Sequence, residues 1–152
     1  MKYFLEDVPS YLEKLTPEST PEWGEMNASE MMRHLRLGLK GSLSITDGEL
    51  TTPEEKLPRA KAFLMSDRAF PKAAPMPFFY HTKPSAKDFS ENKEALLNAL
   101  KEFVDGTEDA PDFISFHPSF GHLNAEETRH LHFKHIRHHF QQFGVFPEPR
   151  ED

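Results

Sequence analysis

The chain has 152 residues, about the size of one domain, and its 18 basic against 25 acidic side chains leave a net charge of −7. An acidic chain without a basic block is a poor partner for nucleic acid, whose phosphates need clustered Lys and Arg. The absence of cysteine excludes a disulfide framework, a thiol nucleophile, an iron–sulfur site and a cysteine zinc finger.

No apolar run approaches the roughly 18 residues that span a bilayer. Glu6, Asp7 and Glu13 interrupt the first apolar stretch, Met1 to Leu15, in a way a signal peptide does not tolerate. The expectation is one cytoplasmic domain, residues 1–152, with no nucleic-acid or membrane partner. With 37% hydrophobic residues and 14 Phe, the chain can build one core. Of its 9 histidines, 7 fall between His117 and His139, and that clustering is the feature to explain.

Near the N-terminus Val8, Leu12 and Leu15 share one helical face. Proline is tolerated in a first turn, so this helix is expected to start near Pro9. Asn27-Ala-Ser-Glu30 has the form of a capping box and opens a helix to about Lys40, before the Gly41-Ser42 break. From Ser42 to Lys87 there are six prolines, too long a stretch for a plain loop. A short helix around Glu55–Met65 is expected there, followed by an extended path through Phe78-Phe79-Tyr80 that wraps the helices. Ser90 is expected to cap a helix from Glu91 to about Val104, with Ala95, Leu96, Ala99, Leu100 and Phe103 at helical spacing and Asp105-Gly106 as its end. Asn124-Ala-Glu-Glu127 is a second capping box. Its helix runs to about Phe143, stopped by Gly144 and Pro147. Nothing alternates as a strand would, no internal repeat appears, and Glu148 to Asp152 reads as a frayed tail.

An α-helix advances about 100° per residue, which converts spacing into faces. With His135 at 0°, His139 lies at about 40°, Gln142 at about −20° and His132 at about 60°. Phe133, Ile136, Phe140 and Phe143 form an apolar stripe near 120°. Glu127, His130, Lys134, Arg137 and Gln141 fill a charged sector. The helix from Ala28 divides similarly, with Met31, Met32, Leu35 and Leu39 apolar, Arg33, Arg36 and Lys40 charged, and His34 beside Gly38 and Gly41. Each internal glycine costs roughly 1 kcal/mol against alanine, and the return is room for a helix, metal or ligand to come close.

His135 and His139 are one helical turn apart, a spacing that lets two imidazoles grip one ion. His34, the one histidine on another clear helix, is the third donor. A three-His site with open positions suits zinc, nickel or ferrous iron. His132 shares the histidine sector as an outer partner of the ligands, and Glu30, one turn before His34, could accept from its other ring nitrogen. Plainer readings stand beside these. An isolated i, i+4 His pair is usually solvated, a single helical His is usually a hydrogen-bonded one, His130 and His138 face solvent or the rim, and Trp23 with Met31-Met32 belongs to the core. His81 and His122 carry no usable signal.

His135-Ile-Arg-His-His139-Phe-Gln-Gln142 has the pattern His-x3-His-x2-Gln, and with His34 upstream it resembles the DinB-like (YfiT-like) superfamily of metalloenzymes. Trp23-Gly-Glu-Met-Asn-Ala-Ser-Glu-Met-Met-Arg-His34 is similar to the first signature of a domain-of-unknown-function branch. His117-Pro-Ser-Phe-Gly121 followed by His135-x2-His138-His139-x2-Gln142-Phe-Gly144 is similar to its second. The likeness covers roughly Leu15 to Gly144. It implies an all-α four-helix bundle in up-down-down-up order, with a long proline-rich crossover after the second helix. It also implies a divalent metal, nickel or zinc, held by His34, His135 and His139, with Gln142 near the site and His117 at the pocket mouth.

The chemistry so implied is metal-dependent transfer of a low-molecular-weight thiol, or hydrolysis, on a small-molecule substrate. No catalytic acid or base stands out. A bundle that binds metal or ligand without turnover is the alternative, and a homodimer or partner-docking bundle with incidental histidines is the third reading.

Overall fold

The computed structural model describes residues 1–72 and 88–146. The Phe78-Phe79-Tyr80 path, His81 and the C-terminal tail lie outside the described residues. The protein is mostly helical.

Helix begins earlier than Pro9. A π-helical turn, Tyr3–Asp7, runs into α1, Val8–Leu12, with Pro9 in its first turn. Phe4 is the reason: it continues the Val8 and Leu12 stripe one turn back, and all three are buried. The Asn27 capping box forms as expected, Asn27 Oδ1 accepting from Glu30 N–H at 2.8 Å and Glu30 Oε1 from Asn27 N–H at 3.1 Å. The helix it opens, α2, spans Ala28–Ser44 and passes through the Gly41-Ser42 pair. Buried Met31, Met32, Leu35 and Leu39 press this helix along α4, and such burial outweighs the glycine cost.

After a 3-10 turn, Glu54–Lys56, comes α3, Leu57–Met65, where a short helix was expected. The next helix, α4, is Phe89–Thr107, two residues longer at its start and three at its end than the spacing predicts. Asp88 holds the N-cap position, and Ser90 lies inside the helix. Phe89 and Thr107 are both buried, which draws the two ends inward. Gly106 does not stop the helix. A Cβ there would meet Leu43 Cδ2 at 2.8 Å, so the glycine is the slot into which α2 packs.

The expectation of no strand fails. Ser115–His117 (β1) and Gly121–Leu123 (β2) form an antiparallel hairpin with Phe116 opposite His122. Three residues per strand cannot display alternation, and outside bonds hold the hairpin: Phe116 N–H to Ile45 O and Thr51 N–H to Pro118 O, both 2.9 Å. Gly121, at φ +76, closes the turn. Leu123 and Phe120 join Leu64 of α3 in a small second cluster.

The last helix, α5, is Ala125–Gln142, opened by the second capping box and packed on α2, α3 and α4. It ends as predicted: Gly144 takes φ +68, and Gly144 N–H and Val145 N–H return to Gln141 O and Phe140 O. One assignment on α5 is overturned. Lys134, placed above among the charged residues, is buried and donates to Phe63 O at 2.9 Å and Ser66 O at 3.2 Å. Its ammonium also lies over the rings of Phe63 and Phe70. Carbonyls at a helix C-terminus can accept further donors, and a lysine stem reaches these two. Burial holds its pKa below the usual lysine range.

Candidate metal centre

α2 and α5 cross so that His34 meets His135 and His139. His34 Nε2 lies 2.7 Å from His135 Nε2, and His139 Nε2 lies 3.1 Å from the same atom. The three donor atoms all fall within 4.8 Å of one another. Two imidazole nitrogens bound at about 2.0–2.1 Å to one ion stand roughly 2.9–3.4 Å apart for bond angles of 90–109°. Both separations from His135 are close to that range and the whole group spans no more than 4.8 Å, so three histidines here could hold a metal ion.

Hydrogen bonding fixes which nitrogen of His139 faces the centre. Gln142 Nε2 donates to Trp23 O at 2.8 Å, and a carbonyl can only accept. The amide oxygen therefore faces His139 Nδ1, 2.7 Å away, and Nδ1 must carry the proton. That leaves Nε2 a lone pair aimed at its neighbours, as a metal ligand requires. One N–H can bridge one pair of these nitrogens at a time, whereas one cation can satisfy all three.

The clamp depends on the turn before α2. Glu22 N–H donates to Gln142 O at 2.7 Å. Gly24 has φ +79, and a Cβ on it would come within 2.7 Å of Gln142 Nε2. The Trp23-Gly24 pair thus has a backbone role: only glycine lets Gln142 reach the Trp23 carbonyl.

The site is set for neutral imidazoles. His34 and His139 are each 8% exposed, and His135 is partly open. Burial lowers the His34 pKa to about 4 and the His139 pKa to about 3. Burial first, then repulsion from His139 and His34, pushes His135 well down too. A neutral ring keeps its lone pair for an ion.

The remaining candidates fall at different places. His132 is 3% exposed and sits one turn along α5 from the centre. It shares a 2.7 Å bond between Nε2 and Ser42 Oγ and packs edge-on to Phe103. Glu30 lies in the α2 cap, its Oε1 taken by Asn27 N–H. His117 ends β1, accepts Ser119 N–H at Nδ1 and stacks near Phe120. It is not in the donor group, and burial lowers its pKa to about 4. His138 is at the rim, between Trp23 and Phe70. His130 is partly buried beside Phe133, with Nε2 enclosed. His122 is exposed, 3.5 Å from Asp47.

Sequence reasoning missed the Trp23 carbonyl, Gly24 and Ser42. Ser42 lay hidden because α2 was expected to end before it; eight residues after His34, it falls on the same side of the longer helix. Comparison of the chain with protein-family models, with curated proteins and with solved structures gives no match.

Proposed function

We propose that this protein is a metal-dependent enzyme of the DinB-like kind. In this reading α1 with its π turn, α2, α4 and α5 are the four members of the bundle, and the proline-rich connection between α2 and α4 is the crossover. His34, His135 and His139 hold one divalent ion, nickel or zinc, with iron also suited to imidazole donors. The observation that carries the reading is the approach of His34 Nε2 and His139 Nε2 to His135 Nε2, with the His139 tautomer set by Gln142. A bound ion would supply Lewis acidity, or a lowered pKa for a bound water or thiol, without a cysteine from the protein. Gln142 keeps His139 aimed, and the enclosed rings of His34 and His139 keep water from their faces. The substrate class is a small molecule, either a low-molecular-weight thiol undergoing transfer or an ester or amide undergoing hydrolysis.

Among the described residues the donor group contains no carboxylate. That favours one alternative, a bundle that holds a metal or small ligand without turnover. Metal analysis of the purified protein after zinc or nickel loading and desalting tests the common premise. The expected result is about one equivalent per chain, lost in His135→Ala. Equal metal in both proteins, or none in either, removes the site. Screens of thiol conjugation and of ester and amide hydrolysis then separate the enzyme from the binding bundle.

A further inference from the structure

The three-histidine centre continues along the seam between α2 and α5. On α2, His34, Gly38 and Ser42 follow one another at four-residue steps. On α5, His139, His135 and His132 face them. His132 is three residues from His135, about 4.5 Å along the helix axis. Between the two polar groups stands Gly38. A Cβ built there would lie 3.6 Å from His132 Cε1 and 3.9 Å from His135 Cε1 and Nδ1. Alanine would therefore fit without a clash, and helix propensity favours it by roughly 1 kcal/mol, yet glycine stands there and leaves a slot about one methyl wide.

Exposure along the seam is uneven. His34, His139 and His132 are buried, while His135, Gly38 and Ser42 are only partly so. The partly exposed members of the seam, His135, Gly38 and Ser42, therefore alternate with buried ones. At its far end the Ser42–His132 bond leaves His132 Nδ1 buried without a partner among the described residues, so the pair is not explained as a fully satisfied core contact. Ser42 Oγ has one hydrogen-bond partner there, and a hydroxyl can make up to three bonds.

We propose that Ser42 and His132 form a polar subsite that binds a neutral hydrogen-bonding group, such as an amide or hydroxyl, of a small molecule whose other end reaches the His34–His135–His139 centre, with Gly38 leaving the path between them. Ser42 and His132 are positioning residues for that ligand. A neutral group is specified because, among the described residues, no charged side chain is bonded to the pair, and a buried carboxylate would need one. This inference rests on the metal reading above and adds the ligand's second anchor.

The test uses cobalt-loaded full-length protein and three hydroxamates, read from the cobalt absorption bands. Acetohydroxamate occupies the centre alone. Succinamic hydroxamate adds a primary amide two methylenes away, and 4-methylpentanohydroxamate is its apolar isostere. Wild type is expected to bind the amide about five- to tenfold tighter than the isostere, the size of one retained hydrogen bond. Ser42→Ala should abolish that preference while keeping acetohydroxamate affinity. Gly38→Ala should fold at least as well as wild type and bind acetohydroxamate normally, but weaken both longer compounds. A preference unchanged in Ser42→Ala, or longer compounds bound normally by Gly38→Ala, overturns the subsite while leaving the centre intact. A lower melting temperature of Ser42→Ala with no change in preference shows a helix clamp and also overturns it. Wild type that takes up no cobalt overturns the metal reading itself, and the subsite with it.

Discussion

Replacing Gln142 with leucine tests whether the amide governs the centre. The side chain is 4% exposed and bridges two partners, His139 Nδ1 at 2.7 Å and Trp23 O at 2.8 Å. Leucine keeps the volume and removes both bonds. Without the amide oxygen, the His139 ring can rotate or place its proton on Nε2, where it blocks ligation. Outer partners of ligating histidines are typically worth about 10- to 100-fold in metal affinity, which is roughly 1.4–2.7 kcal/mol. The Trp23 carbonyl also loses its side-chain donor, so the metal-free fold should lose about 1–3 kcal/mol.

Gln142→Glu separates the two effects. Its carboxylate still accepts from His139 Nδ1–H but cannot donate to Trp23 O. It should therefore resemble leucine in metal-free stability and wild type in affinity. The assay is zinc competition against a chromophoric chelator at constant pH, paired with urea unfolding in EDTA. If Gln142→Leu binds zinc as tightly as wild type, the Gln142–His139 bond does not set the tautomer and His139 is not a prearranged donor.

Asn124→Ala removes the N-cap of the helix that carries two of the three histidines, and should lower stability by about 1 kcal/mol in urea unfolding; an unchanged midpoint would show that tertiary contacts alone hold the start of α5. Lys134→Met keeps the apolar stem and removes the ammonium that serves Phe63 O and Ser66 O. A loss of about 1–3 kcal/mol is expected, with faster hydrogen exchange in the last turn of α3, and exchange that does not change there would refute the tether. Metal-free protein should weaken in mild acid. His117 and His132 have folded pKa values of about 4 and about 3 against 6.5 unfolded. The unfolded chain therefore takes up protons that the fold refuses. Stability is full above pH 6.5 and falls as pH drops toward the folded values, by roughly 2–3 kcal/mol for each histidine at about pH 4.5. A urea midpoint that stays flat from about pH 7 to 5 would contradict this.

Features governed by neighbours in the chain were legible beforehand. Asn27 with Glu30 and Asn124 with Glu127 close their bonds over three residues, so the starts of α2 and α5 can be read from four letters each. Gly144 ends α5 because a positive φ is a local requirement. His135 and His139 share a face because helix geometry puts them there, and the cluster of seven histidines resolves into two donors by the same arithmetic.

What the tertiary structure decided depends on residues far apart in sequence. Gly41 and Gly106 read as helix ends, yet packing of α2 on α4 carries both helices past them, with Leu43 filling the space Gly106 leaves. The 115–123 hairpin is held by the Ile45 carbonyl and the Thr51 N–H, which no short window around it contains. Lys134 reads as a surface charge until the end of α3 arrives with the Phe63 and Ser66 carbonyls within reach of its ammonium. His34 could be named as a donor, but only the α2–α5 crossing sets its Nε2 against His135. The direction of the His139 lone pair is settled further away still, by a carbonyl at Trp23 that is 119 residues from the amide it holds. Local chemistry selects elements and faces; which faces meet is set by burial summed over the whole chain.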